Sequence, residues 1–190
     1  MRQASQAGET ETKAVLPTPF YNASVRSDCT VISHLKLVHG AATRCASFRD
    51  ACILGRTWLR QRGYGSSLVL GGFGHFEWST LMAILLEGGG PKGRPLLASG
   101  YDSYQMFKAT LQFLATHDLV QSPLLHQGEG MTLKRTSSPQ VVDGSRGMNI
   151  LFKMSPWSYR MVSETRHLSH QNGLLIPHSS GTTRRRRCRC

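Results

Sequence analysis

The chain has 190 residues and a mass of 21.0 kDa, the scale of one domain of about 100–200 residues. Its 23 lysines and arginines outweigh 11 acidic residues and give a net charge of +12, which favours an anionic partner such as nucleic acid. No apolar run reaches the roughly 18–20 residues of a membrane-spanning helix, and residues 1–14 are too polar for a secretory signal. We therefore expect an intracellular protein with reduced thiols and no membrane partner.

Part of the positive charge lies in a C-terminal arginine run. Its members are Arg184, Arg185, Arg186, Arg187 and Arg189. Without them, residues 1–183 keep 18 basic and 11 acidic residues, a charge of +7. Residues 170–190 are predicted to be a disordered basic tail, which could contact nucleic acid or serve as a nuclear or nucleolar address.

The N-terminal residues 1–19 are predicted to be a disordered leader, because Pro17 and Pro19 lack an amide donor and bias their neighbours to extended forms. A helix is expected to begin at Ser27 or Asp28 and to end at residues 40–44. Either of the two starting residues can cap the first amides of the helix. An apolar stripe recurs along this helix at helical spacing. It consists of Val31, Leu35, Val38 and Ala42.

The next helix is predicted to begin at Ser47, with Asp50 in its first turn completing a motif like a capping box, and to end at Gly63. One broad face is apolar. It holds Phe48, Ala51, Cys52, Gly55, Trp58 and Leu59. Arg49, Arg56 and Arg60 share the adjoining face, where a solvated surface is the favoured interpretation and a phosphate-contacting ridge is the alternative.

A glycine-rich signature at residues 71–79 precedes an apolar run. A phosphate cradle would need a Lys-Ser/Thr pair opening a helix, and that pair is missing. We expect Gly71, Gly72 and Gly74 to allow positive φ or close backbone approach, while Phe73, Phe76 and Trp78 pack inward. The helix over residues 77–87 is apolar on nearly every side, which predicts a buried central helix.

Residues 88–100 are predicted to be a flexible basic loop, in which Lys92 and Arg94 could meet phosphate, although a solvated loop is favoured. Asp102 is predicted to cap a helix that ends near residues 117–119, with Gln105 reaching back to it. The stripe predicted to face the core comprises Tyr104, Phe107, Leu111, Leu114 and Ala115.

Residues 120–147 are expected to form a long loop with a short strand at residues 141–142. A last helix is predicted from Met154 to about Arg166. Trp157, Met161 and Val162 are expected to face inward from it.

Catalytic and metal-binding patterns are missing from the sequence. The aspartates never form the Asp-x-Asp pair that would hold Mg²⁺ against a triphosphate, and no His-Glu-x-x-His or paired Cys-x-x-Cys spacing occurs. We therefore predict no enzyme, no metal site and no cofactor. Cys29, Cys45 and Cys52 are interpreted as small core residues.

Four stretches together resemble the Nrap family of nucleolar proteins: residues 48–63, 71–79, 81–83 and 103–115. Residues 17–22 and 149–160 are also similar to that family, so the likeness spans roughly residues 16–169. The resemblance implies a mainly α fold with disordered termini: a helical lobe like the substrate-binding domain of poly(A)-polymerase and oligoadenylate-synthetase enzymes. This domain would cover residues 20–169, with its core at residues 47–119.

The resemblance also implies a function: a non-catalytic, RNA-associated scaffold in the small-subunit processome. Its partners would be ribosomal RNA precursor and processome proteins in the nucleolus. Family members are much longer, so the chain is expected to be a fragment or alternative product. The second hypothesis is the substrate-binding lobe of an active nucleotidyltransferase, with nucleotide bound near residues 71–79. For RNA contact, the predicted residues are Arg49, Arg56, Arg60 and the tail arginines.

Overall fold

The computed structural model describes residues 19–89, 93–127 and 136–171. These residues form six α-helices and three short strands, which confirms the mainly α prediction. In chain order the elements are α1 (Pro19–Cys29), α2 (Val31–Arg44), α3 (Phe48–Gln61), α4 (His75–Glu87), α5 (Ser103–Thr116), β1 (Leu124–His126), β2 (Val141–Asp143), β3 (Met148–Asn149) and α6 (Pro156–Gln171). Within these ranges, every helix is too short or too polar to span a bilayer.

Helix α4 is the buried central helix that its composition predicted. Every residue from Glu77 to Leu86 is buried, and α2, α3 and α5 all contact it. Trp78 is fully buried beneath Gly55 of α3, where an added Cβ would lie 2.0 Å from the indole Nε1. Glycine at position 55 is therefore what allows α3 and α4 to approach this closely.

The N-terminal region contains one helix more than predicted. Pro19 begins α1, since proline at the first position of a helix gives up no hydrogen bond; residues 1–18 of the predicted leader lie outside the described residues. Ser27 and Asp28 lie inside α1 and do not cap α2. The N-cap of α2 is Thr30, whose side chain makes no capping hydrogen bond.

The apolar stripe of α2 faces the core only in part. Val31 and Leu35 are exposed, the other two members of the predicted stripe are half-buried, and the helix buries His34 and Ala41 instead. His34 Nδ1 lies 3.2 Å from the Thr80 hydroxyl of α4. A polar contact with the central helix therefore helps to set the orientation of α2.

Helix α5 begins with the predicted capping box. The Asp102 carboxylate accepts from the Gln105 amide at 2.7 Å, and the Gln105 side chain accepts from the Asp102 amide at 3.1 Å. The predicted stripe was offset, because Tyr104 is exposed and three other members are half-buried. The side chains that α5 buries are Met106, Thr110, Phe113 and Leu114.

Helix α6 also turns a different side inward than predicted. Trp157 is 69% exposed and Met161 is exposed, whereas Val162 is buried as expected. The buried Tyr159 donates from its hydroxyl to the His117 carbonyl at 2.6 Å and accepts from the Leu119 amide at 3.1 Å. These two bonds join α6 to the end of α5.

A small sheet occupies part of the segment predicted to be loop. The strand predicted at residues 141–142 is confirmed as β2, whereas β1 and β3 were not predicted. β1 pairs in parallel with β2, with His126 opposite Asp143, and β2 pairs antiparallel with β3. The parallel pairing places His126 and Asp143, the last residues of two strands, at one edge of the sheet.

The described cysteines differ in their surroundings. Cys45 and Cys52 are buried core residues as predicted, while Cys29 is exposed. Burial raises the pKa of the Cys52 thiol to about 12, so this thiol stays protonated and behaves as a small apolar side chain.

Candidate nucleic-acid interface

Helix α3 separates an apolar face from a basic face. The side chains of Phe48, Ala51, Cys52 and Leu59 are buried, as the periodicity predicted. The predicted capping box at the start of α3 was wrong, because Ser47 has helical backbone angles and makes no side-chain capping bond. The packing of the apolar face against α4 and α5 positions this helix.

The basic face of α3 carries Arg49, Arg56 and Arg60, all of them exposed. We call these three residues the arginine face. They follow one another at helical spacing, so the face extends roughly 16 Å along the helix at 1.5 Å per residue. None of the three makes a hydrogen bond or an ion pair through its side chain with another described residue.

Four other arginines have structural partners. The contacts are Arg26 Nη1 to the Gly147 carbonyl at 2.7 Å, Arg44 to Glu87 at 3.3 Å, the Arg62 guanidinium over the Trp58 ring at 4.3 Å, and Arg146 to Asp143 at 2.8 Å. The arginine face differs from this set because no described residue accepts a hydrogen bond from its guanidinium groups.

The imidazole of His75, at the start of α4, adds little charge to this surface. Partial burial and the positive charge of Arg56 lower the pKa of His75, while the Glu77 carboxylate acts in the opposite direction. The lowered pKa leaves His75 neutral near pH 7. The charge of the surface near neutral pH therefore comes from the arginines.

The glycine signature has a structural role, as the sequence predicted. Gly71 and Gly72 have φ values of +87° and +68°, and an added Cβ at Gly72 would lie 2.2 Å from the Lys153 carbonyl oxygen. Phe73 and Trp78 are fully buried, while Phe76 is half-buried.

The backbone amides of this signature donate to acceptors within the protein. The Gly71 amide donates to the Leu68 carbonyl, and the Gly72 amide to the Ser67 carbonyl. The Gly74 amide donates to the buried Glu77 carboxylate at 2.8 Å. Sequence reasoning missed this role of Glu77; the signal was a glutamate at the third position of a helix. These three amides are therefore not available to cradle a phosphate.

Three described aspartates hold local structure. Asp102 caps α5. Asp118 accepts hydrogen bonds from the backbone amides of residues 120 and 121. Asp143 pairs with Arg146. Across the described ranges, no three His, Cys, Asp or Glu side chains come together in a geometry that could hold a metal ion.

The remaining predicted RNA-contact residues lie mostly outside the described residues. These are Lys92 and the tail arginines, Arg184–Arg187 and Arg189. Arg94 is described and exposed in the loop before α5.

Sequence reasoning missed a polar cleft at the carboxyl ends of β1 and β2. Its lining includes Lys36 of α2, Glu87 of α4, His126 of β1 and Asp143 of β2. No sequence signal pointed to it, because these residues come from four separate segments and the pairing of β1 with β2 brings them together.

The fold and the arginine face define a helical domain with a basic surface. Residues 47–172 match the family model described as the Nrap protein PAP/OAS-like domain. The chain therefore belongs to this family, as the quoted motifs predicted.

Curated relatives agree with this assignment. The chain is 38% identical to U3 small nucleolar RNA-associated protein 22 of Saccharomyces cerevisiae over 83% of its own length and 14% of the relative. It is 36% identical to the protein of the same name in Schizosaccharomyces pombe, over 76% of the chain and 13% of the relative. Nucleolar protein 6 of Xenopus laevis is 32% identical over 76% of the chain and 12% of the relative. These names indicate that the protein is located in the nucleus, in the nucleolus. The chain spans about one seventh of the length of these relatives.

Proposed function

We propose that this domain is a non-catalytic, RNA-associated scaffold that takes part in ribosomal RNA processing as a piece of the small-subunit processome. The observation that carries the proposal is its membership of a family whose relatives are named for the nucleolus and for U3 small nucleolar RNA. Its partners would be ribosomal RNA precursor and processome proteins.

The surface of α3 supports RNA contact. Arg49, Arg56 and Arg60 are exposed on one helix face without ion-pair partners among the described residues, in a chain of net charge +12. Phosphate contacts by arginine release counterions and supply sequence-independent affinity. Such a face suits contact with the phosphate backbone of RNA, which carries no sequence information directly.

Three of the described aspartates support a non-catalytic role. Asp102 and Asp118 bond to backbone amides, and Asp143 is buried against Arg146. Nucleotidyl transfer needs carboxylates that converge on Mg²⁺ and a triphosphate. These three are instead committed to local structure.

The test is a salt titration of RNA binding with wild-type protein and a variant carrying Arg49→Gln, Arg56→Gln and Arg60→Gln. With a single-stranded pre-18S RNA fragment, we expect weaker binding and a slope of log K against log salt smaller in magnitude by about 2 for three lost phosphate contacts. Lys108→Gln and Arg160→Gln remove two positive charges from other exposed positions and form the charge control.

Unchanged affinity and salt slope in the arginine-face variant would show that this face is only solvated. A tail variant, with Arg184–Arg187 and Arg189 changed to glutamine, tests the tail separately.

The enzyme-lobe alternative makes a different prediction, since it expects ATP to raise the melting temperature only when Mg²⁺ is present. That result would contradict the scaffold proposal.

A further inference from the structure

The polar cleft at the carboxyl ends of β1 and β2 has the form of a ligand site. It encloses about 300 Å³ between α2, the end of α4 and the ends of the two parallel strands. Leu37 contributes an apolar wall, and Lys36 and Gln127 lie exposed at its edge.

One side of the cleft contains a buried histidine nitrogen without a hydrogen-bond partner among the described residues. His126 is buried, and its Nε2 has no hydrogen-bond partner among the described residues. The nearest carboxylate oxygen, Glu87 Oε2, lies 3.8 Å away, which is too long for a hydrogen bond. Buried polar atoms usually have partners, so this gap favours a ligand that bonds to both groups.

The two carboxylates of the cleft differ in what they can offer. The Asp143 oxygens already accept from the Ser145 hydroxyl at 2.7 Å and from Arg146 Nε at 2.8 Å. Among the described residues, Glu87 accepts one hydrogen bond from a side chain in the cleft region, from Arg44 at 3.3 Å on Oε1. Because a carboxylate has about four lone-pair sites, Glu87 is the acceptor available to a ligand.

The backbone at the cleft is also unusual. Gln127, directly after β1, has a φ of +53° and is the one non-glycine residue with positive φ in the described ranges. Such conformations are uncommon for residues with a Cβ and concentrate at functional sites. This turn carries the Gln127 side chain at the edge of the cleft.

We infer that this cleft binds the base of an unpaired guanine nucleotide in RNA. The Watson–Crick edge of guanine presents two adjacent N–H donors to a carboxylate, here Glu87, and the adjacent carbonyl is an acceptor for the imidazole of His126. The exposed ammonium of Lys36 lies at the edge, where it can contact the phosphate. Protein modules read single-stranded RNA through such extruded bases, hydrogen-bonded on this edge.

The charges favour a nucleotide over a protein side chain. An arginine from a protein would offer similar donors to Glu87, but its positive charge would meet Lys36 at the edge and Arg146 behind Asp143. A guanine nucleotide brings a neutral base to the carboxylate and a negative phosphate to the lysine. This inference rests on the proposed RNA association and adds a base-reading subsite to it.

The test compares two fluorescent hexanucleotides, one with a single guanosine among uridines and one with inosine in its place. Inosine lacks the exocyclic amino group, and we expect it to bind wild-type protein about tenfold more weakly, the effect of losing a hydrogen bond to a charged group. Because only the RNA changes, protein folding does not affect this comparison. Equal affinity for both oligonucleotides would overturn the inference.

Three protein variants assign the effect to the cleft. Glu87→Gln should abolish the preference for guanosine, with its melting temperature measured in parallel. Lys36→Gln should weaken both oligonucleotides equally, whereas Lys108→Gln, which removes a charge from exposed α5, should leave the guanosine preference unchanged. A guanosine preference that persists in Glu87→Gln would place base reading elsewhere and overturn the inference.

The longer pre-18S fragment separates this inference from the proposed function. If wild-type protein binds that fragment but does not distinguish guanosine from inosine, the cleft inference fails and RNA association stands. If the protein binds neither the fragment nor the hexanucleotides, the proposed function fails as well.

Discussion

The layer of α3, α4 and α5 is held together differently from the segment that contains the sheet. In the helical layer, Trp78, Leu81 and Met82 are fully buried among other apolar side chains. In the sheet segment, a buried Asp143–Arg146 ion pair of 2.8 Å stands near the ends of the strands. The Asn149 side chain also accepts from the amides of Val141 at 2.9 Å and Leu151 at 3.0 Å. Apolar packing therefore dominates the first region, and specific polar contacts shape the second.

This difference predicts how each region responds to substitution. An apolar core loses stability in proportion to the volume removed, and neighbouring side chains relax only partly. A buried ion pair behaves differently, because removing one partner leaves an unpaired charge whose desolvation is no longer offset. Substitutions in the two regions should thus be distinguishable by their pH dependence as well as by their size.

The largest effect is expected for Trp78→Ala. Trp78 is fully buried, and its ring centroid lies 5.6 Å from that of Phe107 and 6.4 Å from that of Phe73. We expect the free energy of unfolding to fall by about 3–5 kcal/mol, measured by urea denaturation.

The matched control for this substitution is Trp157→Ala. The same side chain is lost there from a position that is 69% exposed, so the change in unfolding free energy should be within about 0.5 kcal/mol. Equal effects of the two substitutions would mean that α4 is not the centre of the core.

A slightly smaller effect is expected for Asp143→Asn at pH 7. The substitution leaves the Arg146 guanidinium buried without its carboxylate, and breaking such a pair costs about 3 kcal/mol. Asp50→Asn, at an exposed position of α3, is the control and should change little.

The pH dependence of this substitution follows from the shifted pKa of Asp143. Burial alone would raise this pKa, but hydrogen bonds from Ser145 and Arg146, together with the charges of Arg146 and His126, lower it overall. The ionised carboxylate therefore stabilises the fold above about pH 4, and this contribution is lost as the pH falls through the lowered value. The stability gap between wild type and Asp143→Asn should shrink below pH 4; a constant gap would contradict the ion-pair account.

The smallest effect is expected at the start of α5. Asp102→Ala removes the side-chain acceptor of the Gln105 amide and should lower the free energy of unfolding by about 1 kcal/mol. Asp102→Asn keeps a good capping residue and should recover most of this loss. An alanine variant as stable as wild type would show that the cap contributes nothing.

Local chemistry made the α3–α5 layer predictable. The apolar composition of residues 77–87, the glycine after α3 and the Asp102–Gln105 box each act within a few residues. The buried sides of α2 and α6 could not be read from their apolar residues alone, because they depend on distant partners, such as Thr80 for His34 and the His117 carbonyl for Tyr159. A helix with apolar residues on more than one side can bury any of them.

The candidate sites show the same division. The exposure of Arg49, Arg56 and Arg60 could be predicted, because all three lie on one helix face that adjoins its apolar face. The cleft around Glu87 and His126 could not, since it requires the parallel pairing of β1 with β2 across an intervening segment. Sites within one helix can be read from periodicity, whereas sites between elements need the tertiary fold.

The most direct test of RNA association is recovery of the tagged chain from nuclear extract, with and without ribonuclease, followed by proteomics and RNA sequencing. We predict recovery of small-subunit processome proteins with pre-18S RNA, and reduced recovery after ribonuclease and in the variant with Arg49, Arg56 and Arg60 changed to glutamine. Recovery of neither the proteins nor the RNA would contradict the proposed role, and would leave this chain with the family's fold alone.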